Sequence, residues 1–280
     1  MQNKLKNGLA PWALLVVSGT VGLLVTMIFN AFESFGLAVS GISPAFPPEF
    51  DGRFLILSIW AFPVPIAWGF TARWMPVFLG LKPLRSKLIL AALAVNIIGI
   101  VAALAKPLLA SSILLLVGAI CMVSALRIFE GTEKPAKTQG VHKTFPMFMR
   151  IANVWLLIAG LFAVWASVEP GTAGVAGAGR HAVTVGFLMT IVFSVAPRML
   201  PAFLGRKKLF SERLMFLALL LTNTGCLLRV SSEILAYHHY ASWAWALLPI
   251  SATLELAGVV IFTVNMIGTL LQPPLLAPAK

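Results

Sequence analysis

The chain has 280 residues, of which 59% are apolar and 11% charged, and its mean hydropathy is +0.94. A soluble globular chain carries about 25% charged residues, so a water-soluble domain is excluded. The net charge of +12 is spread over several short segments, which fits membrane topology and attraction to anionic lipid and argues against a nucleic-acid partner.

The apolar residues fall in blocks of about 20, the length a helix needs to cross ~30 Å of hydrocarbon. Strand-like alternation is absent over most blocks, so helices rather than a β-barrel are expected. The expected fold is an all-α integral membrane protein of about eight transmembrane helices. Spans are placed at about 11–32, 53–72, 87–105, 107–129, 148–168, 181–200, 213–237 and 243–270. The first follows Lys4 and Lys6, is too long for a signal peptide and lacks a small-residue cleavage site, so it reads as an uncleaved anchor. Lys106–Pro107 leaves room only for a tight hairpin between spans three and four. The stretch Gly171–Gly179, GTAGVAGAG, has the composition of a flexible extramembrane connection. Cys121 and Cys226 fall in apolar helices and read as packing residues.

Basic residues divide unevenly between the two sides. One side holds Lys4 and Lys6, then Arg73, Lys82, Arg85 and Lys87. It also holds Arg127, Lys134, Lys137, Lys143 and Arg150, then Arg198, Arg206, Lys207, Lys208 and Arg213, and finally Lys280. These are 17 of the 21 basic residues, leaving Arg53, Lys106, Arg180 and Arg229 for the other side. The positive-inside rule then places both termini in the cytoplasm of a cell with a bacterial-type inner membrane. Glu33, Glu49, Asp51, Glu169 and Glu233 gather on the opposite side.

Two segments repeat. Arg73-Trp-Met-Pro76-Val-Phe78-Leu79-Gly80-Leu-Lys82-Pro-Leu84 shares seven of twelve residues with Arg198-Met-Leu-Pro201-Ala-Phe203-Leu204-Gly205-Arg-Lys207-Lys-Leu209. Farther on, Asn96 and Gly99 correspond roughly to Asn223 and Gly225. Four spans separate the copies, so both lie on one face, and the chain reads as two parallel four-helix halves, 11–129 and 148–270. Pro76 and Pro201 are expected to stop their helices, with Gly80 and Gly205 supplying the turn. The repeat reads either as a structural corner made twice or as a paired site for an anionic group.

Ionisable residues inside a span are costly and default to functional or paired roles. His142 and the pair His238–His239 fall in loops and read as solvated. His181 opens span six, within a turn of the outer surface. Arg229 lies in span seven with Glu233 at i+4, where the two can pair. Glu255 lies near the midplane of span eight and needs a partner, a proton or water. No nucleotide-binding loop, HExxH, CxxC or GxSxG motif is present, which gives no support for a hydrolase or an ATP-driven pump.

The string RHAVTVGFLMTIVFSVAPRMLPAFLGRKKL, continuing into LLTNTGCLLRV, resembles the NnrS family of membrane proteins. The matching residues are His181, Thr184, Val185, Gly186, Arg198, Gly205, Arg206 and Leu228-Arg229-Val230, with Gly69-Phe70-Thr71-Ala72 and Trp74 in the first half. This chain carries Gly52-Arg53-Phe54-Leu55 where that family has a histidine pair and a glutamate, and Ala202-Phe203-Leu204 where it has a further histidine. The resemblance implies a b-type haem and a role linked to nitric oxide. His181 would be the axial metal ligand, with Arg180, Arg229 or Arg53 on the propionates. A haem-copper centre is excluded, since it needs about six histidine ligands. Two other functions stay open. One is a cofactor-free transporter or channel with Glu255 as a proton or cation site. The other is an accessory subunit that meets membrane-protein partners through small-residue faces.

Overall fold

The computed structural model describes residues 9–41, 46–105, 108–169, 173–206 and 208–273. Lys4, Lys6, the Lys106–Pro107 turn, Gly171–Thr172, Lys207 and Lys280 lie outside the described residues. Eight helices are long and apolar enough to cross a membrane, and no strand occurs among the described residues. The protein is therefore an all-α, multi-pass membrane protein. It divides into two compact units, Met1–Lys134 and Pro135–Lys280.

The first unit runs α1 (Pro11–Ser40), α2 (Pro48–Ile56), a π-helical segment π1 (Leu57–Ala61), α3 (Pro63–Leu79), α4 (Ser86–Leu104) and α5 (Leu108–Leu126). Elements α2, π1 and α3 form one span, Phe50–Leu79. Helix α1 packs on α3, and α4 on α5. Lipid tails are as apolar as leucine, so close packing and polar contacts join these helices rather than water exclusion. Small residues make the α1 seam: a Cβ built at Gly69 would lie 2.6 Å from Val16 Cγ2, and one at Gly22 would overlap the Ala61 carbonyl.

The second unit runs α6 (Phe145–Val168), α7 (Ala173–His181), π2 (Ala182–Met189), α8 (Thr190–Phe203), α9 (Glu212–Tyr237) and α10 (Ala244–Leu270). Elements α7, π2 and α8 form the span Gly174–Phe203. The glycine-rich stretch expected to be a connection is helical from Ala173. Its glycines are contact points, not hinges: a Cβ at Gly174 would meet Tyr237 Cβ at 2.6 Å, and one at Gly177 would overlap the Glu233 carboxylate. Composition alone does not separate a flexible linker from a small-residue face built for close helix approach. The longer helix also moves His181 inward. Seven residues past Gly174, it sits about 10 Å along the span, not at its end.

Each half carries a π segment in the span before its corner. In the register set by Arg73 and Arg198, Leu57 and Ala182 align, and these two residues open π1 and π2. The prolines do not stop the helices, because Pro76 and Pro201 lie inside α3 and α8. One lost N–H bond near a helix end is tolerated. The turn is made by Gly80 and Gly205, at φ +64° and +59°, a region that glycine enters without steric cost. Asn265 ties the second corner, with Ser211 N donating to its Oδ1 (2.9 Å) and its Nδ2 donating back to Ser211 O (2.9 Å).

Candidate functional site

Only one described span carries a histidine. His181 ends α7, where the i→i+4 pattern gives way to π2. Its Nε2 lies 2.7 Å from Oε1 of Glu255, a hydrogen-bonded pair joining α7 to α10. The side chains are 25% and 14% exposed. Glu255 stands eleven residues past Ala244, about 16 Å along α10, so the pair lies well away from the ends of both spans. Among the described residues, His181 Nδ1 has no hydrogen-bond partner.

Helix α9 forms the floor of this site. Gly225 lets α10 approach, since a Cβ there would stand 2.6 Å from Glu255 Cγ and 2.9 Å from Ser251 O. The next residue, Cys226, is buried, and its thiol points at His181 O at 3.9 Å. One turn on, Arg229 Nε approaches Glu233 Oε2 at 3.4 Å, the expected i,i+4 pair, with Glu233 9% exposed at its side chain.

A second polar cluster lies one turn below. Asn223 Oδ1 accepts from Trp155 Nε1 (3.1 Å), and its Nδ2 donates to Thr190 Oγ1 (3.1 Å) and to Leu219 O. Thr190 Oγ1 in turn donates to Val185 O inside π2 (3.4 Å). A π turn leaves a backbone carbonyl without its usual partner, and this chain of bonds supplies one.

The sequence-derived site residues are partly brought together. The His181 backbone carbonyl meets Cys226 of α9, and Arg229 lies three residues farther along that helix. Arg180 is next to His181, but its side chain is exposed. Arg53 lies half-buried in α2 of the first unit. Of the loop histidines, His239 is exposed, but His142 and His238 are packed. His142 Nδ1 is 2.7 Å from Thr144 Oγ1 and its ring packs on Phe216, while His238 stacks between Trp165 and Tyr240. Among the described residues, His238 Nε2 is buried without a hydrogen-bond partner.

The pairing of His181 with Glu255 is what sequence reasoning missed. A lone mid-span carboxylate signals a partner, and His181 was the one spanning histidine. Starting its helix too late placed it at the wrong depth.

The residues fit haem poorly. Nε2 of His181 is taken by Glu255. Methionine thioethers that could serve as a second axial ligand lie far away along their helices: Met189 about 12 Å and Met199 about 27 Å beyond His181, and Met266 about 16 Å beyond Glu255. Among the described residues, no group of three or more His, Cys, Asp or Glu side chains is placed to hold a metal ion.

The family model of a domain of unknown function, DUF8744, matches residues 60–270. The chain belongs to the DUF8744 family. The DUF8744 match opens at Trp60 near the end of π1 and closes at Leu270, so it takes in all of π2, both corners, His181 and Glu255, while Arg53 lies before it. No curated protein matches the chain.

Proposed function

We propose that the protein moves protons across a bacterial-type inner membrane, with both termini cytoplasmic, and that the His181–Glu255 pair is the group that binds and releases them. The observation that carries this reading is the 2.7 Å bond between Nε2 and Oε1, deep within the spans. Histidine and carboxylate side chains inside a bundle are expensive and mark proton relays and ion paths. The two imidazole nitrogens divide the work. Nδ1, without a partner among the described residues, takes a proton from water. The proton on Nε2 passes to Glu255 Oε1, which leaves a neutral imidazole and a neutral carboxyl group. Release from Glu255 restores the carboxylate, and return of the imidazole from its Nδ1–H to its Nε2–H tautomer, by proton exchange with water or a ring flip, resets the pair. The orientation rests on the 17 basic residues on one side.

The test is proton flux into vesicles reconstituted with the full chain, driven by a potassium diffusion potential and read with an internal pH dye. Wild type should acidify the lumen; Glu255→Gln and His181→Phe should not. Flux unchanged in both variants, or absent from wild type, overturns the reading. The NnrS resemblance supports a second reading, a haem held through the open Nδ1. A Soret band in purified protein that His181→Ala removes would favour it.

A further inference from the structure

The two corners share a backbone turn but not a charge balance. Leu81 N donates to Pro76 O (3.0 Å) and Arg206 N donates to Pro201 O (2.7 Å), so the turns at Gly80 and Gly205 correspond residue for residue.

In the first unit the segment that follows α5 closes over the corner. Glu133 N and Lys134 N donate to Gly80 O (2.9 and 3.2 Å), and a Cβ built at Gly80 would overlap the Lys134 carbonyl. The same segment brings an acid. Glu130 pairs with Arg127 (2.7 Å) and Arg85 (2.9 Å) and lies 3.6 Å from Lys82 Nζ. Three basic groups there share one carboxylate of their own chain.

The second corner is open. A Cβ at Gly205 would meet nothing within 4 Å, and no donor among the described residues reaches Gly205 O. Leu79 and Leu81 are buried, whereas their counterparts are Leu204, 38% exposed, and the half-buried Arg206. Phe203 and Phe210 beside them are 73% and 52% exposed. Arg206, Lys207, Lys208 and Arg213 face a single nearby acid, Glu212. Among the described residues no ion pair joins Arg206, Lys208 or Arg213 to a carboxylate. Residues 271–280 follow α10 as 127–134 follow α5, and they contain no aspartate or glutamate. The acid that the first corner takes from its own chain has no counterpart there.

We infer that the second corner holds the headgroup of an anionic phospholipid, whose phosphate takes the place of the Glu130 carboxylate. Lys208 and Arg213 are exposed and free to reach it, while Arg206 adds its charge from a half-buried position. The exposed Phe203, Leu204 and Phe210 select a lipid over a soluble phosphate, because apolar side chains interleaved with basic ones belong where hydrocarbon meets headgroups. The repeat is thus not a paired anion site: one copy carries its own anion and the other recruits one. The site lies within the second unit and stands independently of the proton reading of His181 and Glu255.

Native mass spectrometry of the full chain in detergent micelles, titrated with phosphatidylglycerol or phosphatidylcholine of the same acyl chains, counts the lipid retained. Wild type should saturate with one phosphatidylglycerol, held at least about tenfold more tightly than phosphatidylcholine. Lys208→Gln combined with Arg213→Gln should weaken that binding about 25-fold, at about fivefold for each basic group. Both positions are exposed, so the fold tolerates the change. Lys82→Gln combined with Lys87→Gln removes the same charge from the first corner and should weaken binding less than about twofold. Equal retention of the two lipids by wild type overturns the inference. So does equal weakening in the two double variants, which would be a response to net charge alone, or no weakening in either. Displacement of phosphatidylglycerol by glycerol phosphate at matched concentration would assign the corner to a soluble phosphate and overturn the lipid.

Discussion

Replacing Glu255 by glutamine removes the charge from the group that meets His181, and a double-mutant cycle with His181→Asn measures what the pair contributes. In water-soluble proteins a hydrogen bond to a charged group contributes about 1.5–3 kcal/mol. Inside membranes, interhelical polar pairs average about 0.6 kcal/mol and reach about 1.7, because helices separated in the bilayer find other partners. The His181–Glu255 bond is short, at 2.7 Å, and its side chains are only 25% and 14% exposed. Those features place it at the upper end of the membrane range, with a coupling energy of about 1.5 kcal/mol. The assay is reversible unfolding in mixed detergent micelles of wild type, both single variants and the double. The double variant should lose about 1.5 kcal/mol less than the summed losses of the singles. A coupling energy below about 0.4 kcal/mol, the noise expected of independent sites, would refute the reasoning.

Three further outcomes follow from other parts of the fold. The hydrogen bond from Arg127 holds the Glu130 carboxyl below its ordinary value of 4.5, helped by the charges of Arg127, Arg85 and Lys82. Because the folded value is the lower one, this contribution is complete above pH 4.5 and is lost as pH falls through the depressed value. Amide exchange of residues 127–134 should rise in that window in wild type and show no such step in Glu130→Gln. Gly22→Ala should destabilise the protein by more than about 3 kcal/mol, since the added methyl meets backbone at Ala61. Gly99→Ala, which meets only the Leu115 and Leu114 side chains at 3.0–3.2 Å, should cost about 1 kcal/mol; thermal unfolding separates the two. Reporter fusions after Glu169 and after His239 should read as extracytoplasmic, and a cytoplasmic signal at either point would reverse the orientation.

All eight spans were legible in the sequence because a bilayer demands long apolar helices, and hydropathy reports that demand directly. Boundaries were less legible where small residues carry them. Gly174, Gly177 and Gly179 have a linker's composition, yet they seat α7 against α9 and α6. The Arg229–Glu233 pair was visible because helix geometry fixes i,i+4 neighbours. The His181–Glu255 pair was not, because 74 residues separate its members and only the packing of α7 and α10 around α9 brings them together. The π segments carry no simple composition signal. The repeat placed the two asparagines roughly in correspondence, but their task of serving displaced carbonyls, Trp60 O for Asn96 and Val185 O through Thr190 for Asn223, appears only in three dimensions.

π2 begins at the residue after His181. A π turn closes from i to i+5 and so takes in one residue more than an α turn. One residue corresponds to about 100° of rotation around a helix axis. The extra residue therefore works as a phase setting: it fixes the compass bearing of His181 against the α8 portion of the same span, which stays anchored by Thr190 and Asn223. Shortening π2 by a single residue would leave α8 in place and swing the imidazole about a quarter-turn away from Glu255. In this fold the direction a histidine faces is encoded by the count of residues beside it, as much as by the identity of its neighbours.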